Sequence, residues 1–132
     1  MNAANEVQVT IEEAEKQIAR GEALERLWTN PDFALLIGDV YFKEEPARLA
    51  SLLGDIAGSY RWNPVAGQFS IPPKEFVQMQ ESVEKDMHAV GALQSFFRVV
   101  AWRANMAAQA LDDLSNPPVL DEGEADDVTS ED

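Results

Sequence analysis

From Pro73 to Leu114 the chain reads PKEFVQMQESVEKDMHAVGALQSFFRVVAWRANMAAQALDDL, with no proline after its first residue and one glycine, Gly91. Nothing in that run stops a helix. Phe76, Val83, Val90, Phe97, Ala104 and Leu111 stand seven residues apart. A second row three residues on, Met79, Asp86, Leu93, Val100, Ala107 and Leu114, is apolar at all but Asp86. A sustained seven-residue repeat marks one buried seam and one wet face. At 1.5 Å per residue such a helix is about 63 Å long. A rod of that length needs a packing partner along most of it.

The partner must come from the first half of the chain. Thr10-Ile11-Glu12-Glu13 has the form of a capping box and predicts a helix start there, with residues 1–9 frayed. Ile11, Ala14, Ile18, Gly21, Leu24 and Trp28 then fall on one side. Gly21 costs about 1 kcal/mol of helix stability relative to alanine, so it is either a weak spot or a close crossing. Asn30-Pro31 predicts a new start, with Asn30 as N-cap and Pro31 in the first turn. Phe33, Leu36, Ile37, Val40 and Tyr41 give the next helix an apolar face at helical spacing. Pro46 then either kinks that helix near Glu44–Glu45 or opens another. Leu49, Leu52, Leu53 and Ile56 carry the stripe on to a stop at Gly58.

Residues 59–72, SYRWNPVAGQFSIP, hold two prolines and a glycine yet are too apolar for a free linker. They are expected to pack, with strand-like extension around Gln68–Ile71. The expected fold is therefore all-α: an antiparallel helical hairpin with one long C-terminal helix (about 73–114), a broken N-terminal arm and a disordered acidic tail. Residues 1–114 form a single helical domain in this reading, and 115–132 form the tail.

Net charge is −14, and residues 112–132 hold nine of the 24 acidic residues with no base. The body is only mildly acidic. Such a chain repels phosphate backbones, so no direct nucleic-acid binding is expected. The tail reads first as a solvating entropic segment, second as a docking segment for a basic partner, and last as a mimic of DNA charge. With no cysteine, disulfides and thiolate metal sites are excluded. No signal peptide or membrane-spanning run is predicted, and the expectation is a soluble protein.

Chemistry is hard to find. His88 is the only histidine, and Glu84-x-x-x-His88 lacks the spacing of di-iron bundles. The glycines form no phosphate-cradling loop and no serine has a nucleophile-elbow context. Asp86, beside Lys85, reads as a salt bridge or the edge of the seam. No catalytic residue, cofactor or metal is expected, so the chain reads as a non-enzyme. Arg98 and Arg103 are expected to pair with Asp39, Glu44 or Glu45, or to reach a partner. Tyr60, Arg61 and Trp62 have the composition of an interface anchor, with capping of the hairpin end as the competing reading. Phe96, Val99 and Trp102 lie off the inner seam, more apolar surface than one hairpin hides. The candidate interface residues are thus Tyr60, Arg61, Trp62, Phe69, Phe96, Val99, Trp102 and Arg103.

The segments E-A-L-E-R-L…N-P-D-F…K-E-E and D-M-x-A-V-G-A-L-x-x-F, covering roughly residues 11–57 and 81–100, resemble a group of small helical proteins encoded by tailed bacteriophages. Pro46 and the apolar loop 59–72 depart from that pattern. The resemblance implies virion structure or assembly through association, with no catalytic residue to carry over. It places the chain in the host cytoplasm during assembly, in the phage particle, or in both. The expected partners are copies of the chain itself, a larger virion protein, or both, with no membrane. The alternative is a small acidic phage-encoded inhibitor that binds a basic groove of a host enzyme.

Overall fold

Residues 3–116 are described in the computed structural model, and helix begins at their first residue: α1 spans Ala3–Thr29. Thr10 is therefore not a cap. Its Oγ1 donates to the Glu6 carbonyl at 2.9 Å, the back-bonding of a hydroxyl already inside a helix. Residues 3–9 are exposed but helical: Glu6 sits in the first turn, where the helix dipole favours an acid, and the Gln8 amide donates to Glu12 one turn on. The acidic segment 117–132 lies outside the described residues.

Asn30 ends α1 and caps the next helix, as expected. Its Oδ1 accepts from the backbone N–H groups of Asp32 (2.9 Å) and Phe33 (3.3 Å). One turn of α-helix, α2 (Pro31–Phe33), passes into an eleven-residue π-helix, Ala34–Glu44, and then into α3, Glu45–Ser59. The change falls at Glu44–Glu45, but the chain does not kink open there. Both residues keep right-handed helical dihedrals, and only the hydrogen-bond ladder alters. Pro46 has no N–H to give, and its ring excludes the carbonyl four residues back. The Glu45 N–H instead reaches the Val40 carbonyl, five residues back.

The wider ladder corrects the expected face. Inward positions in a π-helix recur every four to five residues, so Phe33, Ile37, Gly38, Tyr41 and Phe42 are half-buried. Leu36, expected inside, is 60% exposed, and Val40 is exposed too.

After α3 come two short antiparallel strands, β1 (Trp62–Asn63) and β2 (Gln68–Phe69), with Trp62 opposite Phe69 and Asn63 opposite Gln68. The last element is α4, Pro73–Ser115, unbroken for 43 residues. The fold is all-α with a long C-terminal helix and a broken N-terminal arm. Among the described residues no helix is long and apolar enough to cross a membrane.

The described residues divide into two compact units, residues 24–99 and the terminal segments 3–23 with 100–116. In the first, arm and α4 run antiparallel. Trp28 meets Phe97 at one end, with ring centroids 5.8 Å apart. Leu49 and Ile56 pack with Val83 further along, and Tyr60 meets Phe76 at the far end. In the second, α1 crosses α4 where Gly21 faces Ala104: a Cβ built on Gly21 would collide with the Cβ of Ala104. Gly21 thus marks a close crossing.

The seven-residue row of α4 faces inward throughout, buried at Val83 and Val90 and half-buried at Phe76, Phe97, Ala104 and Leu111. The second row is corrected in part. Within 24–99 Met79 and Asp86 are exposed and the residues after them, Gln80 and Met87, are sheltered instead, while Leu93 is half-buried as expected, together with Gln94. An unpaired carboxylate is costly to bury; sheltering the Gln80 row keeps Asp86 in water. Among the terminal residues the +3 companions Val100 and Ala107 are sheltered, as expected, but Leu114, in the last turn of α4, is exposed.

Candidate functional site

The loop between α3 and α4 is built around two short polar side chains. Asn63 Oδ1 accepts from the N–H groups of Val65 (3.0 Å) and Ala66 (3.2 Å), and the Gly67 N–H donates to the Asn63 carbonyl at 2.8 Å. Gly67 closes the turn at φ 70°, a conformation open to glycine at little cost. The Ser70 hydroxyl accepts from the Arg61 N–H at 3.0 Å and donates to the Ser59 carbonyl, which ties the strands to the end of α3.

Tyr60 lies nearly parallel to Phe69 and to Phe76, with centroids 4.5 Å and 3.9 Å away. Tyr60 therefore closes the end of the helix pair, and its half-buried ring serves as a cap. Arg61 is also used locally: its Nε donates to the Gly58 carbonyl at 2.8 Å, satisfying a free C=O at the end of α3. Trp62 differs. It touches Phe69 edge-on at 5.1 Å and remains 55% exposed, and Val65 at the tip is 96% exposed. The tip thus contains a cap and, beside it, an apolar surface that nothing among the described residues covers.

In the same unit Phe96 is exposed, its ring tilted to that of Phe97 with centroids 6.0 Å apart, and Val99 is half-buried. Phe97 belongs to a four-ring cluster with Trp28, Phe33 and Phe42. The expected pairs of Arg98 and Arg103 do not form. Asp39 meets Lys43 at 3.6 Å and Glu45 is held by Arg48, each within its own helical stretch. Both are local pairs at helical spacing, so they cost little ordering.

Trp102 and Arg103 are brought together in the unit of the termini. They line a groove of about 560 Å³ between α1 and α4, with Val9, Thr10, Glu13, Ala14 and Gln17 from α1 and Met106 and Ala107 from α4. Trp102 is 62% exposed on its rim. Sequence reasoning missed Val9, Glu13 and Met106 here. Met106 one turn beyond Trp102, and Val9 one turn before Glu13, are the signals that point to such a face.

Polar chemistry is sparse. His88 is exposed, and among the described residues no three histidine, cysteine or carboxylate side chains converge as metal ligands. Among the described residues Glu45 is the one carboxylate with a resolved shift: hydrogen bonding from Arg48, aided by its charge, holds it below its ordinary value. Arg48 is raised in turn, with a weaker attraction from Asp86. A lowered folded-state pKa means the pair's stabilisation is present above the ordinary carboxylate value and is lost as pH falls through the lowered one. The pair lies at the surface, with Arg48 exposed and Glu45 half-buried, so its effect on stability is small. Arg48→Ala is expected to return the Glu45 carboxyl upward to its ordinary value in a carboxyl-carbon NMR titration, with little change in unfolding. An unmoved Glu45 would refute the assignment.

No protein-family model, no curated protein and no solved structure matches the chain.

Proposed function

We propose that this chain is a non-enzymatic association protein, which buries its uncovered helix faces against copies of itself or a larger protein. The resemblance of its helical segments to small proteins of tailed bacteriophages extends that proposal to virion structure or assembly. The observation that carries the reading is the exposed apolar surface. Trp102, Met106 and Val9 surround one groove, and Phe96, Leu35, Leu36, Trp62 and Val65 stand uncovered in the other unit. Where such residues share one surface, as Val9, Trp102 and Met106 do at the groove, they mark an interaction site. Fully burying one large apolar side chain is worth about 1.5–3 kcal/mol. A few such residues offset the loss of translational freedom on association.

Sedimentation equilibrium of the full chain tests the self-association half. Species heavier than the 14.6 kDa monomer are expected in the micromolar range, increasing with concentration. A single monomeric species at all concentrations would overturn it. Mass spectrometry of purified particles, with copy number, tests the assignment to the virion.

A further inference from the structure

The groove between α1 and α4 has an unusual charge pattern for its apolar floor. Glu13 stands on the α1 wall and Arg103 on the α4 wall. Neither forms an ion pair among the described residues, and the Glu13 carboxylate accepts only the Gln17 amide, at 3.0 Å. Between them lie Ala14 and Ala107, both buried, with exposed Val9, Trp102 and Met106 at the sides. One uncompensated acid and one uncompensated base therefore flank an apolar trough, with a large aromatic on its rim.

We propose that this groove is a two-fold interface with a second copy of the chain. Each Trp102 enters the other copy's groove, and each Arg103 meets the other copy's Glu13. The proposal rests on the association reading above and names its partner and site. Two features favour a second copy over another occupant. First, the chain carries 24 acids against 10 bases, so two copies repel one another except where a base of one meets an acid of the other. The groove offers that match at both walls. Second, the occupant must carry an acid, a base and an apolar ridge between them. The groove's own surface does so when α1 of one copy lies over α4 of the other. Two-fold symmetry then makes each contact twice. Trp102 has the character of a central anchor, a large ring buried at little entropic cost. Thr10 and Gln17 supply a polar rim.

The test uses the full chain and single charge reversals at exposed positions, with circular dichroism to confirm that each variant is folded. Glu13→Arg and Arg103→Glu each place like charges opposite one another twice, and each is expected to weaken self-association about tenfold or more. Trp102→Ala is expected to weaken it at least as much. Mixing the two reversal variants in equal amounts is the deciding arm. Only a mixed dimer restores both Glu–Arg contacts between copies, so the mixture is expected to associate to within about threefold of the wild type. If the wild type associates but the reversals and Trp102→Ala leave it unchanged, this interface is wrong and the association reading survives on another face. If the mixture fails to recover, the Glu13–Arg103 contact is wrong. A wild type monomeric throughout would overturn both this interface and self-association.

Discussion

Gly21→Val is expected to destabilise the fold by about 3 kcal/mol, although glycine is the poorer helix residue. Local propensity alone predicts a gain: replacing a mid-helix glycine with alanine contributes about 1 kcal/mol. The crossing reverses that sign. A Cβ at position 21 collides with the Cβ of Ala104, which is bonded directly to the α4 backbone and cannot rotate away. Either the two helices separate, exposing Ala14 and Ala107, or the backbone bends. Gly21→Ala already adds the offending atom, and a net loss of about 1–2 kcal/mol is expected after the propensity gain is subtracted. The diagnostic is a paired exchange, Gly21→Ala with Ala104→Gly, which moves the methyl group to the other helix and recovers most of the loss. Denaturant unfolding followed by circular dichroism measures each variant. If Gly21→Ala alone is stabilising, the close crossing is absent.

Leu49→Ala is the second large effect, at about 3 kcal/mol. Among the described residues Leu49 is the most completely enclosed large side chain, 1% exposed, and belongs to a cluster with Ile56 and Val83 flanked by Leu53, Phe76 and Met87. Truncation removes three carbons and leaves a cavity walled by α3 and α4, which both keep their helical backbone and collapse only in part. Leu52, one turn away on the same helix, is 37% exposed, and Leu52→Ala is expected to cost less than about 1.5 kcal/mol. The contrast between two leucines three residues apart tests the burial and not the residue type. A typical domain is stable by only about 5–15 kcal/mol, so Leu49→Ala removes a large share. Equal losses at the two positions would contradict the core as described.

Much of this architecture was legible in one dimension. The run from Phe76 to Leu111 carries a seven-residue row that does face inward along α4, and Asn30-Pro31 places a helix start where the cap is found. These readings rest on local chemistry: a period, a side-chain oxygen at the right offset, a ring that presets φ. Thr10 was less informative, because the capping-box pattern and an ordinary mid-helix threonine share one sequence. What separates them is whether the preceding residues are helical. At Pro46 the sequence announced a disturbance without its form. The missing N–H can be absorbed by a kink, a new helix or a wider ladder, and packing of Phe33, Phe42 and Trp28 around Phe97 accompanies the last.

The candidate site divides in the same way. Trp102 stands off the seam by arithmetic on a helical wheel, and Trp62 sits in a segment too apolar for a linker. Both prove exposed. Tyr60 and Arg61 looked equally fit for a partner, but the stack with Phe69 and Phe76 and the bond to Gly58 engage them within the chain. Composition cannot distinguish an anchor from a cap, because both want an aromatic ring and a cation near a turn.

The sequence by itself determined the helical character of the chain, the length and inward row of α4, and the position of each break, since hydrogen-bonding capacity and apolar period are properties of neighbours along the chain. Tertiary structure alone decided that Gly21 is a contact and not a flaw, that Gln80 and Met87 are sheltered in place of Met79 and Asp86, and that Glu13 and Arg103 flank one groove. Those outcomes depend on which side of a helix its neighbour lies, and helical periodicity allows more than one answer until the neighbour is in place.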